Sequence, residues 1–205
     1  NLYMNFSASS SFFLPELTKK SEKELKIISE LPEFADYDYY FKTLIRQKKY
    51  ILSEKEEKIL ALSAETASGY HNAFEVFDNV ELPLPKIKNE KGESEKLSHA
   101  RYSSFLMGKN REVRRAAFKG MFNAYKKMLN TVTAIYTGNV KKDVFYTRAR
   151  GYKSCLNKAL YNEDVEESVY SNLLDAVNKG LPVLHRYMAW RKKELHLDKL
   201  HMYDL

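Results

Sequence analysis

Asn110-Arg111-Glu112-Val113-Arg114-Arg115-Ala116-Ala117-Phe118-Lys119-Gly120-Met121-Phe122-Asn123-Ala124-Tyr125-Lys126-Lys127-Met128-Leu129 reads as one long helix and decides the fold class. Val113, Ala117, Met121, Ala124 and Met128 recur at three- and four-residue spacing, which lines one helical face. Phe118, Phe122, Tyr125 and Leu129 form a second row beside it. The combined stripe is wide, which predicts a helix buried on more than one side. Asn110 stands where a side-chain oxygen can cap the first free N–H groups.

The same period continues on both sides. Residues 131–149 carry Val132, Tyr136, Val140 and Val144. Asn162 or Asp164 is placed to start a further helix with Val165, Val169, Leu173 and Val177. Gly180 and Pro182 are expected to end or kink it, and Leu184, Met188 and Leu195 suggest a final helix. Upstream, Ser98 predicts the cap of a short helix ending near Gly108. Ser53-Glu54-Lys55-Glu56 is a capping box, so a helix with Ile59, Leu60 and Leu62 should start near Glu54 and run to about Phe77, weakened at Gly69. A charged helix is expected over Glu16–Glu30, with Leu25, Ile28 and Leu31 on its apolar side. Pro32 can open the next, where Tyr37, Tyr40, Phe41 and Leu44 recur. Leu2 to Leu14 is apolar and Ser-rich, with no clear period.

One stretch breaks the pattern. Leu82-Pro83-Leu84-Pro85 cannot be helix interior. Ile87-Lys88, Asn89-Glu90-Lys91-Gly92 and Glu93–Leu97 read as a small β-hairpin with Gly92 free to take positive φ. The fold class is therefore all-α, a multi-helix array with one small hairpin. Residues 1–80 are expected to form a helical lobe, and 81–205 the hairpin with long helices.

Composition agrees. Seven Gly and five Pro in 205 residues are few for a turn-rich β fold, and 44% hydrophobic residues supply a core. No apolar run is long enough to span a bilayer, and none resembles a secretory segment. Asn1 in place of an initiating Met fits a start inside a longer reading frame or a tag scar. Cys155 is the single cysteine; it has no internal disulfide partner, fits a reducing compartment, and reads as a small buried apolar residue. The net charge of +7 is uneven: residues 109–153 hold twelve bases and two acids, a local +10. Such a field attracts anions, nucleic acid among them. The bases mostly fall between apolar positions, however, where they would cover the outer faces of helices, so nucleic acid is the weaker reading.

The remaining residues offer little chemistry. His196 and His201 are five apart, which is about 140° of rotation along a helix, so they could not chelate together without a turn between them. Zinc pairs on helices use a spacing of four. No phosphate-binding glycine loop or nucleophile elbow is present. Glu54/Glu56/Glu57 and Glu163/Asp164/Glu166/Glu167 read as acids at helix starts, complementing the helix dipole. Nothing arranges a nucleophile with a base. No residue is assigned a catalytic or metal-binding role, and substrate-binding residues are left unassigned.

Several stretches, in order, resemble the oligoendopeptidase F branch of the thimet-type, family M3, zinc peptidases. They are Phe12-Phe13-Leu14-Pro15-Glu16-Leu17, Leu52-Ser53-Glu54-Lys55-Glu56-Glu57, Leu97-Ser98-His99 with Tyr102, Asn110–Phe118, Ala149-Arg150-Gly151-Tyr152 and Leu197-Asp198-Lys199-Leu200-His201-Met202-Tyr203-Asp204-Leu205. Ala149-Arg150-Gly151-Tyr152 is the most specific of them. The resemblance implies a mostly helical cytoplasmic enzyme whose channel admits oligopeptides, with zinc held by a His-Glu-x-x-His helix and a later Glu. None of His71, His99, His185, His196 and His201 is followed by Glu. The resemblance thus implies a non-catalytic piece of a zinc oligoendopeptidase, part of a channel wall, inactive alone, with the zinc site expected beyond Leu205. Oligopeptides would be the parent's substrates, zinc its cofactor, and no membrane partner is expected. The competing reading is a stand-alone basic helical module for nucleic acid or another anionic partner.

Overall fold

Nine α-helices and one two-stranded antiparallel sheet make up the secondary structure of the described residues, 13–205 of a computed structural model. Side chains are described from Glu16 onward; of the stretch Leu2 to Leu14 read as having no clear period, Phe13 and Leu14 belong to the first helix and the rest lies outside the described residues. The helices are α1 Phe13–Lys19, α2 Glu22–Ser29, α3 Asp38–Gln47, α4 Glu54–Val76, α5 His99–Leu106, α6 Arg111–Lys127, α7 Leu129–Ala149, α8 Cys155–Asn162 and α9 Glu167–Glu194. The strands are β1 Lys86–Lys88 and β2 Ser94–Lys96. The all-α array with one hairpin is the architecture that the periodicity predicts.

The chain divides into two compact units. One takes residues up to Leu62 together with Val144–Glu167. The other takes Ser63–Asp143 with Ser168–Leu205. The first unit packs Leu17, Leu25, Phe41 and Leu44, with Ile28, Phe34 and Ile45 against them. In the second, Ile87 and Leu97 of the hairpin region meet Ala117 and Met121 of α6. Phe77, Leu82 and Ala124 form a cluster beside them.

Caps explain most helix boundaries. Ser53 and Glu56 form the expected box: the Ser53 N–H donates to Glu56 Oε2 at 3.0 Å, and α4 begins at Glu54. Ser98 Oγ accepts from the Arg101 N–H, and Asn110 Oδ1 from the Glu112 N–H, as read from sequence. The single helix expected over Glu16–Glu30 is instead two. Ser21 and Glu24 make an unforeseen capping box that starts α2, and Lys48 Nζ donates to the carbonyls of Thr18 and Lys20 that end α1. Pro32 opens a 3₁₀ turn, Pro32–Tyr37, rather than α3 itself.

Three helices end on a residue of positive φ: α7 on Gly151 (φ 75°), α8 on Asp164 (φ 57°) and α9 on His196 (φ 51°). In each, the next residue's N–H reaches back five positions: Tyr152 to Thr147 O, Val165 to Leu160 O and Leu197 to Lys192 O. This is the Schellman motif, which satisfies carbonyls a helix end leaves free. Asn162 and Asp164 therefore close α8 rather than start a helix, and Glu163 and Asp164 are not first-turn acids. α9 begins at Glu167 and runs unbroken to Glu194, with Gly180 and Pro182 inside it. Of the two outcomes expected there, an end or a kink, the helix does not end. Pro182 removes only its own N–H, and the rest of the ladder carries the helix through.

In the hairpin, Lys86 pairs with Lys96, Ile87 with Glu95 and Lys88 with Ser94. Ile87 alone of β1 points inward. Gly92 sits at φ 82° in the turn, and Asn89 Oδ1 accepts the N–H groups of Lys91 and Glu93. Before the hairpin, α4 passes into a π turn, Phe77–Glu81, closed by the Leu82 N–H on Phe77 O at 2.8 Å. Pro83 and Pro85 then prevent further helix.

The two rows of α6 differ in fate. Val113, Ala117, Met121 and Ala124 are buried; of the second row, Tyr125 packs half-buried against both clusters, while Phe122 is exposed, as is Leu129 at the start of α7, because the helix expected to run through Leu129 turns at Met128. On α7, Tyr136 and Val140 are likewise exposed, as are Leu31, Tyr37 and Tyr40 near the start of the chain. These positions have helical periodicity but are not enclosed by the described residues. The burial pattern sets a testable contrast. Met121→Ala should lower the unfolding free energy by about 2–5 kcal/mol, while Leu129→Ala should stay within about 0.5 kcal/mol. Urea denaturation of both variants measures the difference.

Candidate functional site

In the first unit, the Ala149-Arg150-Gly151-Tyr152 fragment turns sharply at Gly151 and presents two side chains to one cleft. Arg150 forms a fork on Glu57, Nη1 to Oε1 at 2.7 Å and Nη2 to Oε2 at 2.8 Å, and Nη1 also donates to Tyr50 O. Glu57 Oε1 further accepts the Leu52 N–H at 3.0 Å. Tyr152 stacks on Tyr50, with centroids 3.7 Å apart and planes 17° from parallel. Tyr161 of α8 meets both rings edge-on and donates its hydroxyl proton to Arg46 O at 2.7 Å. The cleft, about 790 Å³, is lined by Tyr50, Glu57, Arg150 and Tyr152 together with Leu44, Ile51 and Lys158.

The electrostatics of this cleft are those of a closed network. The Arg150 fork, the largest cause, holds the Glu57 carboxyl below the usual carboxylate range, and burial works against it. Burial pushes the Tyr152 and Tyr161 phenols up. Among the described lining residues there is neither a cysteine nor a histidine. The arrangement can hold an apolar or aromatic group, but it offers nothing to attack a bond.

The second unit has two polar nodes. Asp204, whose side chain is fully buried, accepts from Arg111 at 2.8 and 2.9 Å, and Arg114 Nη2 lies 3.5 Å away. Arg114 Nε donates to Tyr203 O, and Arg191 of α9 donates to Asp204 O at 2.9 Å. The Arg111 hydrogen bonds, the largest cause, hold the Asp204 carboxyl below its ordinary range. The other node is Asp78 in the π turn. It accepts the Tyr125 hydroxyl, and His99 Nε2 lies 3.3 Å from its other oxygen. Burial first, then the Asp78 hydrogen bond, raises the Tyr125 phenol to about 12.

The candidate metal pair is not brought together as a site. His196 is the positive-φ cap of α9, and the His201 ring stacks on Tyr203 with centroids 4.9 Å apart. Among the described residues, no group of three or more His, Cys, Asp or Glu is arranged to hold a metal ion. The residues present therefore do not fit the zinc that the resemblance implies. Cys155 is exposed, against the expectation of burial, because Ser154 caps α8 and leaves Cys155 at its first, outward position. Thr147 Oγ1 donates to its sulfur at 3.4 Å. Of the twelve bases over 109–153, Arg111, Arg114 and Arg150 are tied into the nodes above rather than lying on an outer face. No sequence signal paired Arg150 with Glu57. The spacing of Arg111 and Arg114, on one side of α6, was the available hint for Asp204.

Two family profiles match the sequence, one on each side of the hairpin. The sequence profile of Peptidase family M3 matches residues 104–205, and that of Oligopeptidase F matches residues 16–83. The chain belongs to peptidase family M3. It is 39% identical to Oligopeptidase PepF of Bacillus subtilis over its whole length, and covers 31% of that protein. It is 40% identical to an oligoendopeptidase F homolog of Lactococcus lactis subsp. lactis, again over its whole length, and covers 34% of it. The crystal structure of oligoendopeptidase-F from Enterococcus faecium superposes with a TM-score of 0.87 at 36% identity, over all of this chain and 40% of that one. The chain thus spans about a third of the length of the curated relatives it matches. These relatives lend no support to a stand-alone nucleic-acid module. No helix of the described residues is long and apolar enough to cross a membrane.

Two outcomes test this part of the M3 chain. Asp204→Ala leaves Arg111 and Arg114 without their carboxylate and should lower the urea midpoint, by more than Glu112→Ala at the exposed start of α6 does. Glu57→Gln should lower the melting temperature at neutral pH. A depressed carboxyl stabilises above its unfolded pKa, about 4.3, and that stability is lost as pH falls through the folded value. The gap between wild type and Glu57→Gln should therefore close on acidification below about pH 4.

Proposed function

We propose that this chain is a non-catalytic part of a zinc-dependent oligoendopeptidase that hydrolyses oligopeptides, contributing a helical wall to its channel. The observation that carries the reading is the similarity, over the whole of this chain, to proteins named oligoendopeptidase F, joined to a set of described residues without a metal-binding cluster. Zinc and the carboxylate that activates water would come from the His-Glu-x-x-His region, outside these 205 residues. The chain's own contribution is shape. The Arg150–Glu57 fork and the Asp204–arginine node fix helix ends, and rigid surroundings are what positions a substrate in such an enzyme.

A division near residue 80 belongs to the same reading: a helical lobe over 1–80 and the beginning of the peptidase region over 81–205. It is supported by the two profile matches, which fall on either side of the hairpin. A cytoplasmic setting is supported by the single cysteine, which has no disulfide partner within the chain. Oligopeptides are the proposed substrates of the longer enzyme; neither nucleic acid nor membrane is a proposed partner.

The isolated chain should not cleave a quenched fluorescent oligopeptide, with or without added zinc. A longer protein that joins it to a His-Glu-x-x-His region should cleave the same peptide, and a chelator should stop it. Zinc-dependent turnover by the 205-residue chain alone would overturn the assignment of these residues as non-catalytic. A longer protein that binds zinc and cleaves no oligopeptide would overturn the activity.

A further inference from the structure

Helix α9 is the longest in the described residues, at 28 residues, and none of its residues is buried. Most of its large apolar side chains are open to solvent, among them Tyr170, Leu174, Val183 and Trp190. Those four lie off a stripe about 80° wide at 3.6 residues per turn, on which Val169, Leu173, Val177, Leu184 and Tyr187 all fall. Leu173 is 60% exposed and Val177 54%. Gly180 lies in the middle of the same stripe, and a Cβ built there meets nothing within 4 Å. Glycine inside a helix is destabilising relative to alanine, and no neighbour among the described residues requires it. The gap it leaves between Val177 and Leu184 is a notch in an otherwise raised apolar ridge. One end of the ridge is already fixed: Arg191 donates to Tyr187 Oη and to Asp204 O.

We propose that this stripe is a docking face for the two thirds of an M3 peptidase that this chain does not match. The occupant presents an apolar surface with one bulky side chain seated over Gly180. The proposal rests on the oligoendopeptidase reading above and names the partner surface for it. The relatives supply the argument for this occupant over a second copy. The Enterococcus faecium chain superposes on all of this one, yet more than half of it remains unmatched and is covalently continuous with the matched part. A contiguous apolar ridge of this length marks an interaction surface, and a tethered segment meets it at high effective concentration.

The test co-expresses this chain with the unmatched region of the Lactococcus lactis homolog as a separate polypeptide. The wild-type chain should co-purify at one to one by light scattering. Gly180→Leu should leave the melting temperature of the chain alone unchanged or raised, and should cut co-purification at least tenfold. Leu173→Asp should do the same. Undiminished co-purification of both variants, or a homodimer of the chain alone that Leu173→Asp dissolves, would overturn the proposal. A graft covers the case where the separate region does not fold: the chain replaces its matched third in the Lactococcus lactis homolog. In a Cys155→Ser background, Leu184→Cys should react with maleimide at least tenfold more slowly in the graft than in the chain alone. Equal rates sink the docking face. A protected thiol without peptide turnover keeps the docking face and removes the peptidase reading. Turnover with an unprotected thiol does the reverse.

Discussion

A carboxylate without solvent contact has to be paired, and Asp204 meets that constraint with two arginines and the His201 N–H. Arg111 and Arg114 project from one side of α6, and Arg191 comes from α9 to the backbone oxygen of the same residue. Removing a charge from water costs several kcal/mol per ion, so the node holds only if every partner is in place. That requirement fixes the position of the short 3₁₀ turn Met202–Asp204 against α6 and anchors the end of α9. The apolar row Val113, Ala117, Met121 and Ala124 supplies the buried face of the same helix, and Ala117 and Met121 meet the hairpin region.

The first unit solves a similar problem with a different geometry. Arg150 and Glu57 are each about one-third exposed, so their fork is stabilised more by two parallel, charge-assisted hydrogen bonds than by exclusion of water. The tight turn at Gly151 places Arg150 and Tyr152 on the same side, where Tyr50 receives both, one through its carbonyl and one through its ring. Each of these three residues has its own part in the turn. Glycine relieves the left-handed backbone, arginine supplies the fork, and tyrosine supplies the flat face.

Much of the architecture is legible in the sequence alone. The capping residues Ser53, Ser98 and Asn110, the prolines around Leu84 and the turn at Gly92 act within a few residues of themselves, so a linear reading can find them. The same reading misplaces several boundaries, and two of them show why. Ser21 cuts one expected helix in two, because a capping box inside a charged run is hard to tell from helix interior. Gly180 and Pro182 fail to cut another, because breakers lower local propensity without forbidding a helix that is otherwise favourable. Cys155 is expected inside and is outside, since the preference of cysteine for burial is a tendency and the cap at Ser154 is a local fact.

By itself, the sequence determined the helical class, the hairpin, most caps and the family, because those depend on short-range hydrogen bonding and on residue order. Only the tertiary structure decided which helical rows are core. Phe122 and Met121 have equal claim by hydrophobicity, but α6 meets the hairpin on one side only. It also decided the partners of Glu57 and Asp204, each 93 positions from its arginine. Charge pairing of that range is set by where the folded chain brings two side chains together, and no local pattern carries that information.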